Sequence, residues 1–458
     1  MAILLKSPRK KIRKNCIAIA FKIDKKMKSL RNILALSLIT LTVKGSAQQT
    51  PANAQSEAIS IEGAVAHLGN GTVIENSLIM FEAGKITFVG DAKARIARQG
   101  TVINADGKHI YPGFIVTCAS LGLIEVDAVR ASNDKDEIGE LIPHVRSLIA
   151  YNAESKVVES MRPNGVLLGQ ISPKGGIISG TSSVMQFDAW NWEDAVVKAD
   201  DGIHLTWPDG FKQGPLSQGQ ARRHVPNEDY PKEKEKIIHF LRNALAYGKS
   251  PALEINPAYA ATQGLFKGTQ KLYVYADGEK EIMDAITNTK NLGVQEVVLV
   301  GGYNAHKISE FLKQHQIPVL VRAPHNLPFS EDDDYDLPYK LPKLLSDSGL
   351  LVAMQNTDAR NFQNRNLPFY AGQLVQEGFS KEKALQMITQ NPAKILGIDR
   401  DYGTLEVGKS ATLFISEGDA LDMRTNRLNR AFIDGRDISL ETHQTELWKR
   451  YMEKYKGK

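Results

Sequence analysis

Cys118 and Ser120 stand two apart in the apolar run Phe114-Ile115-Val116-Thr117-Cys118-Ala119-Ser120, a spacing that on a β-strand puts both side chains on one face. A thiol and a hydroxyl there could line a pocket. A single thiolate without imidazole partners is a poor ligand set for a divalent metal, and Cys118 reads as a small buried apolar residue. The ten histidines form no cluster in sequence. His109 precedes a strand end, His144 and His239 fall in or near helical stretches, and His306 and His315 share one predicted helix, all as surface or packing residues. His204, in Gly202-Ile203-His204-Leu205, and His325, in Ala323-Pro324-His325-Asn326, are less easily assigned; His325 follows a strand and can face a pocket. Asp358, after Val352-Ala353-Met354-Gln355-Asn356-Thr357, is a carboxylate loosely spaced from a strand end, a position that an ordinary loop carboxylate also fits. Gly176 to Ser183 is rich in backbone N–H and hydroxyl donors but lacks a phosphate-loop lysine, so a turn between strands accounts for it. The acidic run Glu331 to Asp334 lacks the spacing of a calcium loop, and no Gly-x-Ser-x-Gly elbow occurs.

These residues must be positioned by elements of two textures. Residues 48–56 are a polar linker, followed by short β-type runs at 58–61, 72–81, 85–89 and 101–104, separated by Gly69-Asn70-Gly71, Ala83-Gly84 and Asp106-Gly107. After Tyr111-Pro112-Gly113 apolar runs alternate with helical stretches: 165–170, 271–275 before a helix at 279–291, 296–300 before 305–315, then 318–321 and 350–354. Near-continuous apolar strands separated by helices predict a parallel sheet covered on both faces. The polar segment 209–236 reads as an excursion, the texture reverts to β beyond Ile398, and 440–458 reads as a charged surface helix. The fold class expected is α/β, a TIM-like (β/α)8 barrel with a composite β-sandwich built from both chain ends. The boundaries are 57–112 and 399–439 for the sandwich and 113–398 for the barrel.

The 458 residues, 42% hydrophobic and 24% charged, are enough for a large core. The formal charge of +5 is concentrated at one end, because residues 1–47 hold twelve Lys/Arg against Asp24 alone. Removing them from the totals of 57 and 52 leaves 45 bases and 51 acids over 48–458, which argues against nucleic acid as a partner. From Met27, a possible true start, Lys28 and Arg31 form a positive region, Ile33 to Val43 an apolar stretch, and Gly45-Ser46-Ala47 a small-residue cleavage site before Gln48. This is the pattern of a signal peptide, too short to span a bilayer comfortably. The expectation is an exported protein, periplasmic or secreted, with no membrane span after signal removal. Of the two cysteines, Cys16 leaves with the head, and one thiol allows no internal disulfide.

Three motifs, in their order and separation, carry a likeness. They are Gly107-Lys108-His109-Ile110-Tyr111-Pro112-Gly113-Phe114-Ile115, then Ala384 to Gly397 around Asn391-Pro392-Ala393, then Gly403-Thr404-Leu405-Glu406-Val407-Gly408-Lys409-Ser410-Ala411-Thr412-Leu413. Through them the chain resembles the amidohydrolase superfamily, most closely its imidazolonepropionase-like branch, over about residues 57 to 440. The resemblance implies hydrolysis of non-peptide carbon-nitrogen bonds by one or two divalent metals, typically zinc. The ligands would be an His-x-His pair ending the first strand, single histidines on later strands and an aspartate ending the last. Here the matching positions are Cys118, Ser120, Tyr275 and Gly301, with Asp358 as the remnant aspartate. No cofactor is expected from this ligand set, and a divalent metal only if the family chemistry survives. Two readings follow. One is an exported hydrolase with a remodelled site in which Asp358 acts as base on a small-molecule substrate. The other is a non-catalytic pseudoenzyme that binds a ligand or serves as a subunit of a homo- or hetero-oligomer with a related chain.

Overall fold

In a computed structural model, the structure describes residues 50–213, 224–249, 254–329, 332–356 and 361–456. The expected leader and cleavage site, and Asp358, lie outside the described residues. Thr50 onwards forms one compact unit.

The first seven strands are β1 (Ile59–Glu62), β2 (Val65–His67), β3 (Val73–Ile74), β4 (Ser77–Glu82), β5 (Lys85–Asp91), β6 (Thr101–Asn104) and β7 (His109–Pro112). The chain then enters β8 (Phe114–Ala119), β9 (Val166–Ile171), β10 (Ile178–Gln186) and β11 (Val196–Thr206). A short hairpin of β12 (Phe211–Gln213) and β13 (His224–Pro226) and a helix at Tyr230–Lys249 occupy the predicted excursion. Next come β14 (Lys271–Ala276), β15 (Val297–Gly301), β16 (Val319–Arg322) and β17 (Val352–Gln355), and finally β18 (Leu413–Ser416), β19 (Leu428–Ile433) and β20 (Arg436–Ile438).

Eight of these strands close a barrel in the order β10-β11-β14-β15-β16-β17-β8-β9. β14 to β17 are short, largely apolar and mostly buried runs such as Val297-Val298-Leu299-Val300, paired in parallel, as strands covered by helices should be. One strand departs from the parallel expectation: β10 runs antiparallel to both β9 and β11. The stretch Gly176 to Ser183, read from sequence as a turn, enters this strand at Ile178, and all nine residues of β10 are buried. The single helix expected for His306 and His315 is instead a 3-10 turn at Ala305–Ile308 followed by a helix at Ser309–Gln314.

The two chain ends do meet. One sheet has the order β5-β4-β1-β6, and the other joins both ends as β20-β19-β18-β7-β2-β3. Ile61, Ile79 and Phe81 of the first sheet share one apolar cluster with Ile110, Leu413, Ile415 and Phe432 of the second. A separate cluster with Ile115, Cys118, Leu168, Tyr273, Val298 and Leu320 fills the barrel interior. The ends are tied to the barrel by Asp188, just past β10. It accepts from buried Arg162 (2.8 Å), from Arg436 of β20 (2.9 Å) and from the Ala52 amide (2.9 Å).

Candidate binding pocket at the mouth of the barrel

The carboxyl ends of β11, β14, β15 and β16 open on a cavity of about 830 Å3, the end of the barrel where sites of this architecture are built. Its walls carry Trp207, Phe211, Tyr303 and Phe329 together with Asp209, Asp277, Glu281 and Arg322. Each charged group is set by an element. Asp277 follows the last residue of β14, where it accepts the Tyr303 amide (3.1 Å) and pairs with Arg322, the last residue of β16 (2.7 Å). Arg322 also lies 5.4 Å from the ring centroid of Phe329, which stacks on Tyr303 at 4.1 Å. Glu281, in the first turn of the helix Glu279–Asn291, accepts the Gly210 amide at 2.8 Å. Asp209 stands at the rim. Partial burial, and then the neighbouring carboxylates of Asp277 and Glu281, push its carboxyl above the usual carboxylate range, while Arg322 pulls the other way. The mouth thus offers aromatic surface, a fixed ion pair and an acid that holds its proton more readily than an ordinary aspartate.

A smaller cavity of about 160 Å3 adjoins at Arg322, and His325 lines it with Asn326, Gln355 and Tyr370. The His325 Nε2 lies 2.6 Å from Gln373 Nε2, and its ring meets Tyr370 edge-on. His325 therefore sits beside the mouth, held by a side-chain amide and not by other metal-ligating groups.

The remaining positions singled out from sequence are distributed differently. Cys118 is fully buried in the barrel interior, where its backbone N–H (3.1 Å) and Sγ (3.5 Å) both approach Gln170 Oε1. Its backbone is left-handed, φ 53°, and the β8–β9 register shifts between Val116 and Ala119. That bulge interrupts the two-residue alternation on which a shared face for Cys118 and Ser120 rested. Ser120 lies past the end of β8, its hydroxyl directed at the Ser172 carbonyl (3.5 Å) and its own carbonyl accepting from Asn361. The Tyr275 hydroxyl is hydrogen-bonded to His204 Nδ1 (2.9 Å). His204, also stacked on Tyr273 at 4.8 Å, is completely buried, and that burial alone lowers its pKa to about 3. It is therefore a neutral interior imidazole at physiological pH.

Gly301 ends β15 with φ 95°. A Cβ there would come within 2.7 Å of Asp277 Oδ1, so the absence of a side chain leaves the space that the Asp277 carboxylate fills. Beneath the mouth, Asp201 accepts from Ser182 (2.7 Å), Gln170 (2.9 Å) and Tyr273 (2.8 Å), which accounts for polar residues inside β10 and β11.

These contacts decide whether a divalent ion fits the family positions. Cys118 faces an amide oxygen, Tyr275 is engaged by an imidazole, Gly301 has no donor, and Ser120 is aimed at a backbone carbonyl. Among the described residues no three His, Cys, Asp or Glu side chains converge so as to hold a metal ion. The donor set does not fit a zinc centre. Sequence reasoning missed Asp277 and Arg322, although each is a charged residue at the carboxyl end of an apolar barrel strand and could have been picked out on that ground.

Residues 307–440 match the model of the amidohydrolase family. No curated protein sequence matches the chain. Among solved structures, an amidohydrolase from Thermotoga maritima is similar with a TM-score of 0.72 and 22% identity, over 83% of this chain and 99% of that one. A prolidase complexed with N-methylphosphonate-L-proline gives 0.53 and 13%, over 83% and 99%, and a molinate hydrolase 0.51 and 14%, over 84% and 95%. At these identities the structures speak to fold, and they share it with a closed barrel whose carboxyl-terminal portion carries the family's own sequence pattern. Residues 307–440 thus carry the sequence pattern of the amidohydrolase family, and the chain shares its fold with amidohydrolase structures.

Proposed function

We propose that this chain is an amidohydrolase-fold protein that binds a small molecule at the barrel mouth without metal-activated hydrolysis, a pseudoenzyme within a hydrolase family. One observation carries the reading. Where histidines would grip a cation, Tyr275 is bonded to a neutral buried His204, and the space at Gly301 is taken by Asp277, itself paired with Arg322. A water molecule there would lack the cation that brings its pKa towards neutrality. The cavity of about 830 Å3 is nonetheless of the size that takes small ligands.

The test combines metal analysis of the purified protein with a turnover screen on cyclic amides, N-acyl amino acids and small peptides. The expected result is metal well below one ion per chain and no hydrolysis above background. Stoichiometric zinc with turnover would return the chain to the hydrolase reading, with Asp358 as the first base to replace. The leader-like sequence supports export to the periplasm or beyond. Amino-terminal sequencing of the protein recovered outside the cytoplasm would then begin at Gln48, and recovery with residues 1–47 intact would remove that part of the proposal.

A further inference from the structure

The last helix, His443–Tyr455, has no buried residue. Its first turn is fastened to the body: Thr442 caps it, and the His443 amide donates to Glu159 at 2.7 Å. From Trp448 to Lys456 every residue is exposed. A helix of this length is marginal in water unless one of its faces is packed, and nothing in sequence position explains why this one carries four large apolar side chains. Trp448 is 62% exposed, Tyr451 51%, Met452 45% and Tyr455 52%. At 3.6 residues per turn they fall on one side, within about 100° of one another.

The charges are arranged around that stripe. Lys449 and Lys456 lie along one flank and Lys454 along the other, whereas Glu446 and Glu453 fall on the opposite face. Arg450 and Lys454 place their cations 5.4 and 5.5 Å from the ring centroids of Tyr451 and Tyr455. Lys449 reaches Glu441, an exposed pair that salt or a stronger anion can displace. This basic stretch belongs to a chain that is otherwise acidic over residues 48–458. An apolar aromatic stripe flanked by lysines, with acids turned away, matches a surface whose interior is apolar and whose boundary is anionic. A second copy of the helix would instead bring lysine flanks against lysine flanks.

We infer that the helix His443–Tyr455 seats this protein on an anionic lipid surface, with Trp448, Tyr451, Met452 and Tyr455 entering the headgroup boundary and the flanking lysines meeting lipid phosphates. No helix among the described residues is long and apolar enough to cross a membrane; the attachment is peripheral.

The test uses the full chain and reads Trp448 itself, so that any attraction of the basic residues 1–47 to the vesicles does not register. Emission of Trp448 is isolated as the difference between the parent chain and Trp448→Phe, in the presence of phosphatidylcholine vesicles with and without phosphatidylglycerol. The expected result is a blue shift on the anionic vesicles only, reversed by high salt. The combined Lys449→Gln, Lys454→Gln and Lys456→Gln variant should raise the lipid concentration for half-maximal shift by at least about tenfold. An unchanged Trp448 emission on anionic vesicles overturns the inference, and so does an equal shift on uncharged vesicles. A Trp448-dependent dimer in sedimentation equilibrium without lipid would assign the face to a second copy and likewise overturn it.

Discussion

Restoring an imidazole at Gly301 is the most direct challenge to the view that the metal positions have been rebuilt. Gly301→His must place a Cβ on a backbone with φ 95°, which costs about 1–3 kcal/mol in a residue other than glycine. That Cβ also meets Asp277 Oδ1 at 2.7 Å, so the carboxylate must move away from the Tyr303 amide and from Arg322. The pair is partly exposed, 32% for Arg322 and 20% for Asp277, so solvent screening holds the loss to about 1–2 kcal/mol. Together the substitution should cost about 2–5 kcal/mol, a large part of the about 5–15 kcal/mol that stabilises a typical domain. Urea unfolding measures it, with Gly301→Ala as the control that carries the same Cβ and no imidazole. In an Asp277→Ala background the obstacle is gone, and Gly301→Ala should cost only the backbone strain, a coupling of about 1–2 kcal/mol in the double-mutant cycle. Additive costs would refute the steric argument. A Gly301→His protein that bound one zinc per chain with an unchanged unfolding midpoint would refute the larger claim.

Tyr275→Phe removes the hydroxyl bonded to His204 Nδ1 inside the barrel and should cost about 1–3 kcal/mol by urea unfolding, with His204→Phe in the same background recovering part of the loss. His204, lowered to about 3 by burial, makes stability pH-dependent in a fixed direction. The unfolded chain takes up a proton as pH falls below the ordinary histidine value of 6.5, whereas the folded chain does so only near its lowered value. Stability is therefore full above the unfolded pKa and is lost progressively as pH drops towards the folded one, and His204→Phe should flatten that part of the curve. Asp188→Ala takes the Asp188 carboxylate away from the buried guanidinium of Arg162, 5% exposed, and should cost about 3–5 kcal/mol; an effect below about 1 kcal/mol, the scale of a surface pair, would contradict the burial. Exhaustive chelation should leave the thermal midpoint unchanged, because a bound ion would contribute in proportion to RT ln(1 + [L]/Kd).

The barrel joined to sheets from both chain ends was legible because its signals are local. β-branched runs such as Val297 to Val300 and turn motifs such as Tyr111-Pro112-Gly113 mark strands and junctions wherever they occur. β10 and β11 were not legible, since Ser182, Ser183, Asp200 and Asp201 look like loop residues until Gln170, Tyr273 and Arg146 arrive to bond them. Burying such groups requires partners that are remote in sequence. The same holds for the mouth: Asp277 and Arg322 are 45 residues apart, and the strand ends on which they stand become neighbours only when the sheet closes. That Cys118, Ser120, Tyr275 and Gly301 are not histidines could be read from sequence, but what surrounds them could not.

The reversal of β10 bears on how the molecule assembles. β9, β10 and β11 are consecutive in the chain, and β10 pairs with its two sequence neighbours, so this three-strand meander forms through near-neighbour contacts. The closure of β17 against β8, by contrast, must wait for segments more than two hundred residues apart. Rates fall as the sequence separation of contacts grows, which makes residues 166–206 the natural first piece of the wall and the seam between β8 and β17 its last.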